Sequence, residues 1–428
     1  MPLRRPLTLV LLLICPVLGL SCQSTAPSSS APSAEEAPAP LIVISIDGLR
    51  WDYLDLHEAP TLSRLADAGT HVKRLTPLFP SKTFPNHYST VTGLYPSHHG
   101  IIANTMYDPV LDARFSLSDR DAVETPDWWG GEPIWVTAEQ QGRTAATYFW
   151  PGSEAPIQGV RPSEWFRYDE SVPGTTRVDQ ALEWLDRPAE TRPDLITLYF
   201  SRVDTKGHYY GPRSDSVATA LREVDGFIQR LLDGLAARGL ADAVNLMVTS
   251  DHGMSPTARD RTIVLDDYID LDDVTLTARN PVAMMEPRSG VSADSVVAAL
   301  DRAPHLSAYR RGGLPDPLHF EGHRRIPSVI AVADDRWSLR TRRWMANNPD
   351  WDGGGTHGYD PRHETMHALL VAHGPAFRAS TTVEQLSLLH LYELMCAVLD
   401  LEPAPNDGRR AAARPLLAPS ATPAPAAP

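Results

Sequence analysis

Cysteine is scarce in this sequence, with only three among 428 residues, at positions 15, 22 and 396. Cys15 lies in an N-terminal apolar run, and Cys396 lies in an apolar helical pattern near the other end. Three cysteines so placed cannot form the disulfide framework of a small cross-linked protein. The chain must fold around an apolar core instead, and its apolar content of 42% is sufficient for one.

Basic residues are also in deficit. The sequence has 39 Lys and Arg against 53 Asp and Glu, which gives a formal net charge of -14. A protein that binds a nucleic-acid duplex through its surface needs the opposite balance, so we exclude a duplex as partner. A small phosphate-bearing substrate stays compatible with this charge, because bound metal ions can reverse the local field.

The N-terminus has no apolar run long enough for a comfortable membrane span. Residues 1–22 carry two arginines and then an apolar run of about 14 residues, the length of a signal-peptide core. The run ends at residues 19–22, which resemble a bacterial lipoprotein box and predict an exported, periplasmic protein, lipid-anchored to the outer membrane through Cys22. Ordinary signal cleavage, which leaves Cys22 unmodified, is the alternative. Residues 23–40 are rich in Ser, Ala and Pro and predict a tether.

Apolar runs and helical patterns alternate in the rest of the chain. Residues 41–47, 195–201 and 244–250 are near-continuous apolar runs, typical of strands buried on both faces. An apolar repeat of three or four residues between the last two runs predicts an amphipathic helix. The alternation predicts an α/β layered fold with a mostly parallel sheet.

The domain organisation follows from the same pattern. Residues 41–402 are predicted to form one domain, in which residues 257–352 carry few chemical motifs and read as an inserted region. Residues 403–428 are rich in Ala and Pro and predict a disordered tail.

Four short segments carry the residues suited to chemistry, and three of them follow predicted strands. Together they supply three aspartates and three histidines, namely Asp47, Asp204, His208, Asp251, His252 and His357. Ligand sites in α/β folds collect beyond the carboxyl ends of the strands. Mixed imidazole and carboxylate ligands suit zinc better than magnesium, and a catalytic zinc uses about three protein ligands. Six ligands therefore predict two catalytic zinc ions.

The candidate nucleophile lies between residues 79 and 88, where Pro85 suits the first turn of a helix. Thr83 would then lie near the helix N-terminus, where free N–H groups favour an alkoxide and a phosphate. Ser81 is a competing hydroxyl, and spacing alone does not choose between them. Phe84, the next residue after Thr83, can offer a ring face to a group beyond the phosphate.

The segments IDGLR, FPSKTFPNHYSTVTGLYPSHHGI, VDTKGH, SDHGM and GTHGYDP resemble the nucleotide pyrophosphatase/phosphodiesterase family of the alkaline phosphatase superfamily. The resemblance implies an alkaline-phosphatase-like three-layer α/β/α fold and a phosphothreonine intermediate on Thr83. It implies hydrolysis of nucleotide phosphodiester or pyrophosphate bonds to nucleoside 5′-monophosphates. We further expect a monomer.

The resemblance also implies a role for each site residue. One zinc would be held by Asp204, His208 and His357, and the other by Asp47, Asp251 and His252 together with Thr83. Asn104 would contact the phosphate, and Tyr168 and Tyr199 would lie beside the base. Two alternatives stay open: a choline- or glycerophosphodiester hydrolase on the same metal site, and a non-catalytic ligand-binding lipoprotein.

Overall fold

The computed structural model describes residues 38–419. In chain order, its strands are β1 (Leu41–Ile46), β2 (Thr70–Thr76), β3 (Thr105–Asp108), β4 (Ala113–Ser116), β5 (Ala145–Tyr148), β6 (Glu164–Phe166), β7 (Leu195–Phe200), β8 (Asn245–Thr249), β9 (Ser255–Ala258), β10 (Thr262–Val264), β11 (Val274–Ala278), β12 (Val282–Pro287), β13 (Leu306–Arg310), β14 (Val329–Ala333), β15 (Ser338–Arg340), β16 (Gly353–Thr356), β17 (Ala368–His373) and β18 (Thr381–Ser387). Its α-helices are α1 (Tyr53–Leu56), α2 (Pro60–Ala68), α3 (Thr83–Thr92), α4 (Pro96–His99), α5 (Arg120–Glu124), α6 (Ile134–Gln140), α7 (Gly174–Leu185), α8 (Arg202–Tyr210), α9 (Asp215–Ala237), α10 (Ala293–Leu300), α11 (Arg342–Asn347), α12 (Leu391–Leu399) and α13 (Arg410–Ala413).

Eight strands form the central sheet, in the order β18-β2-β17-β8-β1-β7-β5-β6. The strands β8, β1, β7, β5 and β6 are parallel neighbours, and β17 runs antiparallel to both β8 and β2. The predicted α/β fold with a mostly parallel sheet is confirmed, and the predicted strands at 41–47, 195–201 and 244–250 correspond to β1, β7 and β8.

The sequence of β1 explains the three layers. Successive strand residues point to opposite faces of a sheet. Leu41 and Val43 enter a core cluster with residues of α3, α6 and α12, whereas Ile42, Ile44 and Ile46 enter another with α2, α7 and α9. All six β1 residues are buried. A strand covered on both faces needs an apolar residue at nearly every position. The near-continuous apolar run in the sequence therefore predicted this strand.

The segment predicted as an insertion contains a second sheet, which is antiparallel, in the order β11-β12-β14-β13. Helix α10 contacts β13 and β14, and a separate apolar cluster forms between them. At the base of the segment β9 pairs antiparallel with β16, so the chain leaves and returns at one place. This return positions the residues after β16 beside those after β8.

The predicted disorder from residue 403 onward is wrong for residues 403–419. Leu416 and Leu417 are buried, and Leu417 forms a β-bridge with Phe377. The Arg378 N–H donates to the Leu416 carbonyl at 2.9 Å. Composition averaged over an Ala/Pro-rich segment concealed two leucines that complete the core beside β18.

Several predictions concern residues outside the described range. The signal peptide at 1–22, the lipidation of Cys22, the tether up to residue 37 and the tail from 420 to 428 all lie outside it. Among residues 38–419, no helix combines the length and the apolarity that crossing a bilayer requires.

Candidate active site

The predicted metal ligands gather at one end of the central sheet. Strands β7, β1 and β8 are parallel neighbours, so their carboxyl ends meet at the same edge. Asp47 directly follows β1, Asp204 lies in the first turn of α8 after β7, and Asp251 and His252 follow β8. The return of the chain along β16 brings His357 to the same edge.

Gly48 permits the close approach of β1 to α8. Its φ is +70°, and a Cβ at this position would lie 3.0 Å from the Asp204 Cα. Any side chain at Gly48 would therefore force Asp204 away from Asp47. The positive φ of Gly48 and the close approach of Asp204 both require glycine at this position.

Asp204 lies between two of the histidines. Its Oδ2 is 3.4 Å from His208 Nε2, and its Oδ1 is 3.7 Å from His357 Nε2. The imidazole of His357 also stacks on that of His252, with ring centroids 3.5 Å apart.

His252 lies at the centre of the other half of the site. Its Nε2 is 2.9 Å from Asp251 Oδ2, 3.5 Å from Asp47 Oδ1 and 3.4 Å from Thr83 Oγ1. The six side chains and the threonine hydroxyl therefore form one continuous cluster, although they come from positions spread over 310 residues between 47 and 357.

The three histidines share one orientation. In each, Nδ1 faces a backbone carbonyl, namely that of Gly355 for His208 at 2.9 Å, of Gly253 for His252 at 2.9 Å, and of Ser81 for His357 at 2.8 Å. A carbonyl only accepts, so Nδ1 must carry the proton in each ring. In the neutral imidazole Nε2 then holds a lone pair, and every one of these lone pairs faces a carboxylate. This is the arrangement of metal-binding histidines, whose other nitrogen is held by a carbonyl.

The carboxylates fit the same interpretation. Asp47 Oδ1, Asp204 Oδ1 and Asp251 Oδ2 are buried and accept no hydrogen bond. Burial raises the pKa of Asp47 well above its usual value, and the carboxylates of Asp251 and Asp204 raise it further. An imidazole lone pair repels a carboxylate that faces it, and the buried carboxylate oxygen has no solvent to stabilise its charge. A cation between the two groups would remove both costs. The chemistry of this donor set fits divalent metal ions.

His252 lies close to aspartates of both predicted ligand groups. Two groups have ligand atoms within 4.8 Å of one another: Asp204 with His252 and His357, and Asp47 with His87 and Asp251. His252 thus reaches the Asp204 half of the site as well as the Asp47 half. His208 is the most peripheral of the three predicted histidine ligands, with a side chain 37% exposed.

Thr83 and Ser81 are separated by the structure. Thr83 is the first residue of α3, and its Oγ1 points at His252. Ser81 is fully buried, and its hydroxyl donates to the Tyr359 carbonyl at 3.0 Å. Of the two candidate hydroxyls, only that of Thr83 faces the cluster, and it also lies at a helix N-terminus.

Asn104 lies beside the nucleophile candidate. Its Oδ1 accepts from the Phe84 N–H at 2.9 Å, which leaves the Nδ2 donors directed elsewhere. Asn104 and Thr83 both line a cavity of about 260 Å³ that also reaches Asp47, Asp204 and His357. The cavity connects the metal-ligand cluster with an aromatic pocket.

Phe84 and Tyr168 line that aromatic pocket. Phe84 is held from behind by Phe115 and Trp129, with ring centroids 5.8 and 6.0 Å away. Tyr168 packs edge-on against Phe149 at 5.2 Å, and its hydroxyl is 3.4 Å from Ser201 Oγ. Both rings are thus fixed in position, as a stacking surface requires.

Tyr199 lies in the same region but makes contacts of a different kind. It is only 8% exposed, and its hydroxyl donates to Asp47 Oδ2 at 2.6 Å. Its ring packs edge-on against His87 at 5.2 Å. Burial and the Asp47 carboxylate raise the pKa of the Tyr199 phenol, which therefore stays a hydrogen-bond donor. The contacts make Tyr199 a support for the carboxylate of a predicted metal ligand, a role that the sequence did not predict.

His87 is a second supporting residue of the site. Its Nδ1 is 2.9 Å from the Thr83 carbonyl and 3.3 Å from Asp251 Oδ2, and its Nε2 is 2.7 Å from Ser45 Oγ. Both nitrogens are engaged with protein groups, so His87 holds Asp251 rather than offering a lone pair. Its position one helical turn after Thr83 was the available signal.

Comparison with known proteins agrees with this geometry. A profile of the family described as type I phosphodiesterase / nucleotide pyrophosphatase matches residues 41–360. The venom phosphodiesterase CdcPDE of Crotalus durissus collilineatus is 40% identical over 418 residues, which are 95% of this chain and 49% of that protein. Ectonucleotide pyrophosphatase/phosphodiesterase family member 1 of Homo sapiens is 39% identical over 392 residues, 88% of this chain and 41% of that protein. The chain spans about half the length of the curated relatives it matches.

Solved structures resemble the fold along nearly its whole described length. Murine ectonucleotide pyrophosphatase / phosphodiesterase 5 matches with a TM-score of 0.84 at 36% identity, over 89% of this chain and 100% of that chain. An inactive threonine-to-alanine variant of that protein, in complex with AMP, matches equally well. The chain therefore belongs to the type I phosphodiesterase / nucleotide pyrophosphatase family of the alkaline phosphatase superfamily.

Proposed function

We propose that this chain hydrolyses nucleotide phosphodiester or pyrophosphate bonds through a phosphothreonine on Thr83 and releases nucleoside 5′-monophosphates. One observation carries the proposal: three imidazole lone pairs and three carboxylates, each with a buried oxygen that has no hydrogen-bond partner, converge beside the Thr83 hydroxyl. No ordinary structural role explains so many unsatisfied acceptors around one hydroxyl.

Two divalent ions, which we propose to be zinc, would occupy this cluster. Asp204, His208 and His357 would hold one ion, and Asp47, Asp251 and His252 would hold the other beside Thr83. When bound, the ions supply Lewis-acid stabilisation of negative charge on the reacting oxygens. The mixed nitrogen and oxygen donors favour zinc over the all-oxygen sites of magnesium.

The chain's own groups then account for the two chemical steps. Thr83 Oγ1 attacks phosphorus, the Thr83–phosphorus bond forms, and the bond to the leaving oxygen breaks. The phosphate esterified to Thr83 still carries the nucleoside. Water later attacks the same phosphorus, the bond to Thr83 Oγ1 breaks, the hydroxyl is restored and the nucleoside 5′-monophosphate is released. The Asn104 Nδ2 amide would donate to a non-bridging phosphate oxygen, while the Asn104 Oδ1 accepts from the Phe84 N–H.

Phe84 and Tyr168 would bind the nucleoside. Each ring lines the pocket next to Thr83, and stacking on an aromatic ring contributes roughly 1–3 kcal/mol per base. The complex of the murine relative with AMP supports a nucleotide as the ligand. We assign Tyr199 to Asp47 instead of to the base.

We also propose export from the cytoplasm. The N-terminal pattern of residues 1–22 supports it, as do the venom and ecto designations of the relatives. From the sequence pattern we further propose a periplasmic location and a lipid anchor on Cys22, and we propose a monomer.

Hydrolysis of the p-nitrophenyl ester of thymidine 5′-monophosphate tests the proposal. The zinc-loaded protein should release p-nitrophenol, and Thr83→Ala should reduce the rate to background while the variant still binds zinc. Ser81→Ala is the matched control and should stay active. Turnover of p-nitrophenyl phosphorylcholine in preference to the nucleotide ester would favour the choline-phosphodiester alternative. Turnover of neither would favour the non-catalytic alternative.

A further inference from the structure

A cavity of about 1080 Å³, here called the surface cavity, is separate from the aromatic pocket beside Thr83. Among residues 38–419, the two share no lining residue. The wall of the surface cavity includes the end of α8, the loop after it and the residues that lead into β16. Pockets for small molecules measure roughly 300–1,000 Å³, so this cavity has room for an oligomeric ligand.

Four aromatic side chains line the surface cavity, namely Trp51, Tyr209, Tyr210 and Trp351. Tyr209 and Tyr210 are 74% and 58% exposed, and they are two of only five large apolar side chains exposed within residues 38–419. Rings that stay open to water beside a cavity are a common feature of ligand sites. The aromatic lining therefore indicates a ligand with flat apolar faces.

The two tryptophans are held from outside the cavity. The Arg74 guanidinium lies over the Trp51 ring at 4.6 Å, and Arg74 does not line the cavity. Arg340 lies over the Trp351 ring at 5.1 Å and does not line it either. The turn that carries Trp351 is also fixed, because Arg259 donates to the Trp351 carbonyl at 2.9 Å. Rings positioned in this way need little further ordering when a ligand binds.

Polar side chains without partners lie among these rings. Asp350, Asp352 and Arg213 line the cavity, and within residues 38–419 their side chains form no hydrogen bond and no ion pair. The two carboxylates can accept hydrogen bonds, and the guanidinium can donate them. The cavity thus offers both kinds of hydrogen-bonding group beside flat apolar surfaces.

The charges of the surface cavity disfavour an anionic ligand. The other charged groups of its lining each have a partner of opposite charge: Arg50 with Asp52, Glu364 with Arg74, and Arg336 with Asp335. The unpaired groups are two carboxylates and one guanidinium, which leave one net negative charge that repels phosphate. A lipid tail fits no better, since it would remove these charged groups from water without pairing them.

We infer that the surface cavity binds an uncharged oligosaccharide. A pyranose ring has C–H groups on its faces and hydroxyl groups around its edge. The faces match the tyrosine and tryptophan rings, and the hydroxyls can donate to Asp350 and Asp352 and accept from Arg213. The inference does not depend on the proposed function. It gives the chain a second binding site, through which the protein attaches to a glycan while the metal-ligand cluster stays open.

Isothermal titration calorimetry with neutral hexasaccharides tests the inference. The panel is cellohexaose, maltohexaose, laminarihexaose and N-acetylchitohexaose, and at least one should bind with a Kd of about 1 mM or tighter. Tyr210→Ala with Trp351→Ala should weaken this binding by about 10-fold or more, because buried aromatic anchors dominate binding energy. Trp165→Ala is the matched control and should leave the affinity unchanged, since Trp165 also stacks with an arginine, Arg161, but does not line the cavity.

A second variant covers the case in which the aromatic double variant folds poorly. Asp350→Ala with Asp352→Ala changes only exposed side chains, so the fold should be retained, and an unchanged Tm checks this. The loss of two charged acceptors should again reduce the affinity by about 10-fold. Added salt should have little effect on the affinity of the unmodified protein, because an uncharged ligand displaces no counterions. Sulfated dextran, which is anionic, should not displace the hexasaccharide.

The contrary outcomes are equally definite. The inference would be overturned if none of the four hexasaccharides bound, if both cavity variants kept full affinity, or if sulfated dextran competed. Competitive inhibition of ester hydrolysis by the hexasaccharide would also overturn it, since the sugar would then occupy the aromatic pocket. None of these results bears on the proposed function, which fails only if the unmodified zinc-loaded protein does not hydrolyse the nucleotide ester.

Discussion

The hydrogen bonds behind the site matter as much as the residues that face it. Three backbone carbonyls fix the proton of each imidazole on Nδ1, and Tyr199 and His87 hold the carboxylates of Asp47 and Asp251. Ligands held in this way lose little freedom when a metal binds, and such supporting contacts often affect affinity strongly. The sequence predicts the ligands, and the structure shows the contacts that would support them.

Tyr199→Phe should weaken metal binding without affecting recognition of the base. Loss of the 2.6 Å hydrogen bond to Asp47 should reduce metal affinity or activity by about 10- to 100-fold. Competition with a chromogenic chelator measures the affinity, and KM for the nucleotide ester should stay near that of the unmodified protein. A raised KM with unchanged metal affinity would return Tyr199 to the base-binding role that the family resemblance implied.

Tyr168→Ala should give the complementary result. Removing one stacking surface should raise KM for the nucleotide ester by a factor corresponding to roughly 1–3 kcal/mol, with metal affinity unchanged. Tyr168→Phe retains the ring and serves as the control. The stacking assignment would fail if alanine and phenylalanine at this position gave the same KM.

At the scale of secondary-structure elements, the predictable parts were those with a strong local pattern. The runs that became β1, β7 and β8 were readable because both faces of these strands are buried, and α9 because its apolar stripe repeats regularly. The aspartates and histidines could be placed together because parallel strands end at one edge. The stacking of His357 on His252 was not predictable, since it depends on how β16 returns beside β9.

The segment 403–419 shows where composition misleads. A stretch rich in proline and small residues lacks apolar periodicity. A few apolar side chains are nevertheless enough to dock such a stretch onto a groove that the rest of the fold has formed. Leu416 is fully buried, and its carbonyl accepts from the Arg378 N–H. Such docking depends on a tertiary surface that no local pattern encodes.

Leu416→Ala should therefore destabilise the whole domain. Truncating a fully buried leucine costs roughly 2–5 kcal/mol, because both the transfer energy and the packing are lost. Denaturant unfolding followed by tryptophan fluorescence measures the change. Arg414→Ala, at an exposed position in the same segment, should leave stability nearly unchanged, and equal effects of the two variants would contradict the docked arrangement.

For the whole molecule, metal binding and folding should be coupled. Three carboxylates, each with a buried oxygen that has no hydrogen-bond partner, repel one another in the absence of a cation. A bound metal ion would offset this repulsion. Anything that binds only the folded state stabilises it. A chelator should therefore lower Tm, and added zinc should restore both Tm and ester hydrolysis. An unchanged Tm on complete metal removal would mean that these carboxylates do not need a metal.

The most direct test of the central claim is to locate the phosphoryl group during turnover. The zinc-loaded protein would be mixed with a nucleotide ester, quenched in acid within milliseconds, digested and analysed by mass spectrometry. The account predicts a nucleotidyl adduct, joined through its phosphate, on Thr83 and none on Ser81. Turnover at a normal rate with an unmodified Thr83, or with the adduct on another residue, would contradict the account.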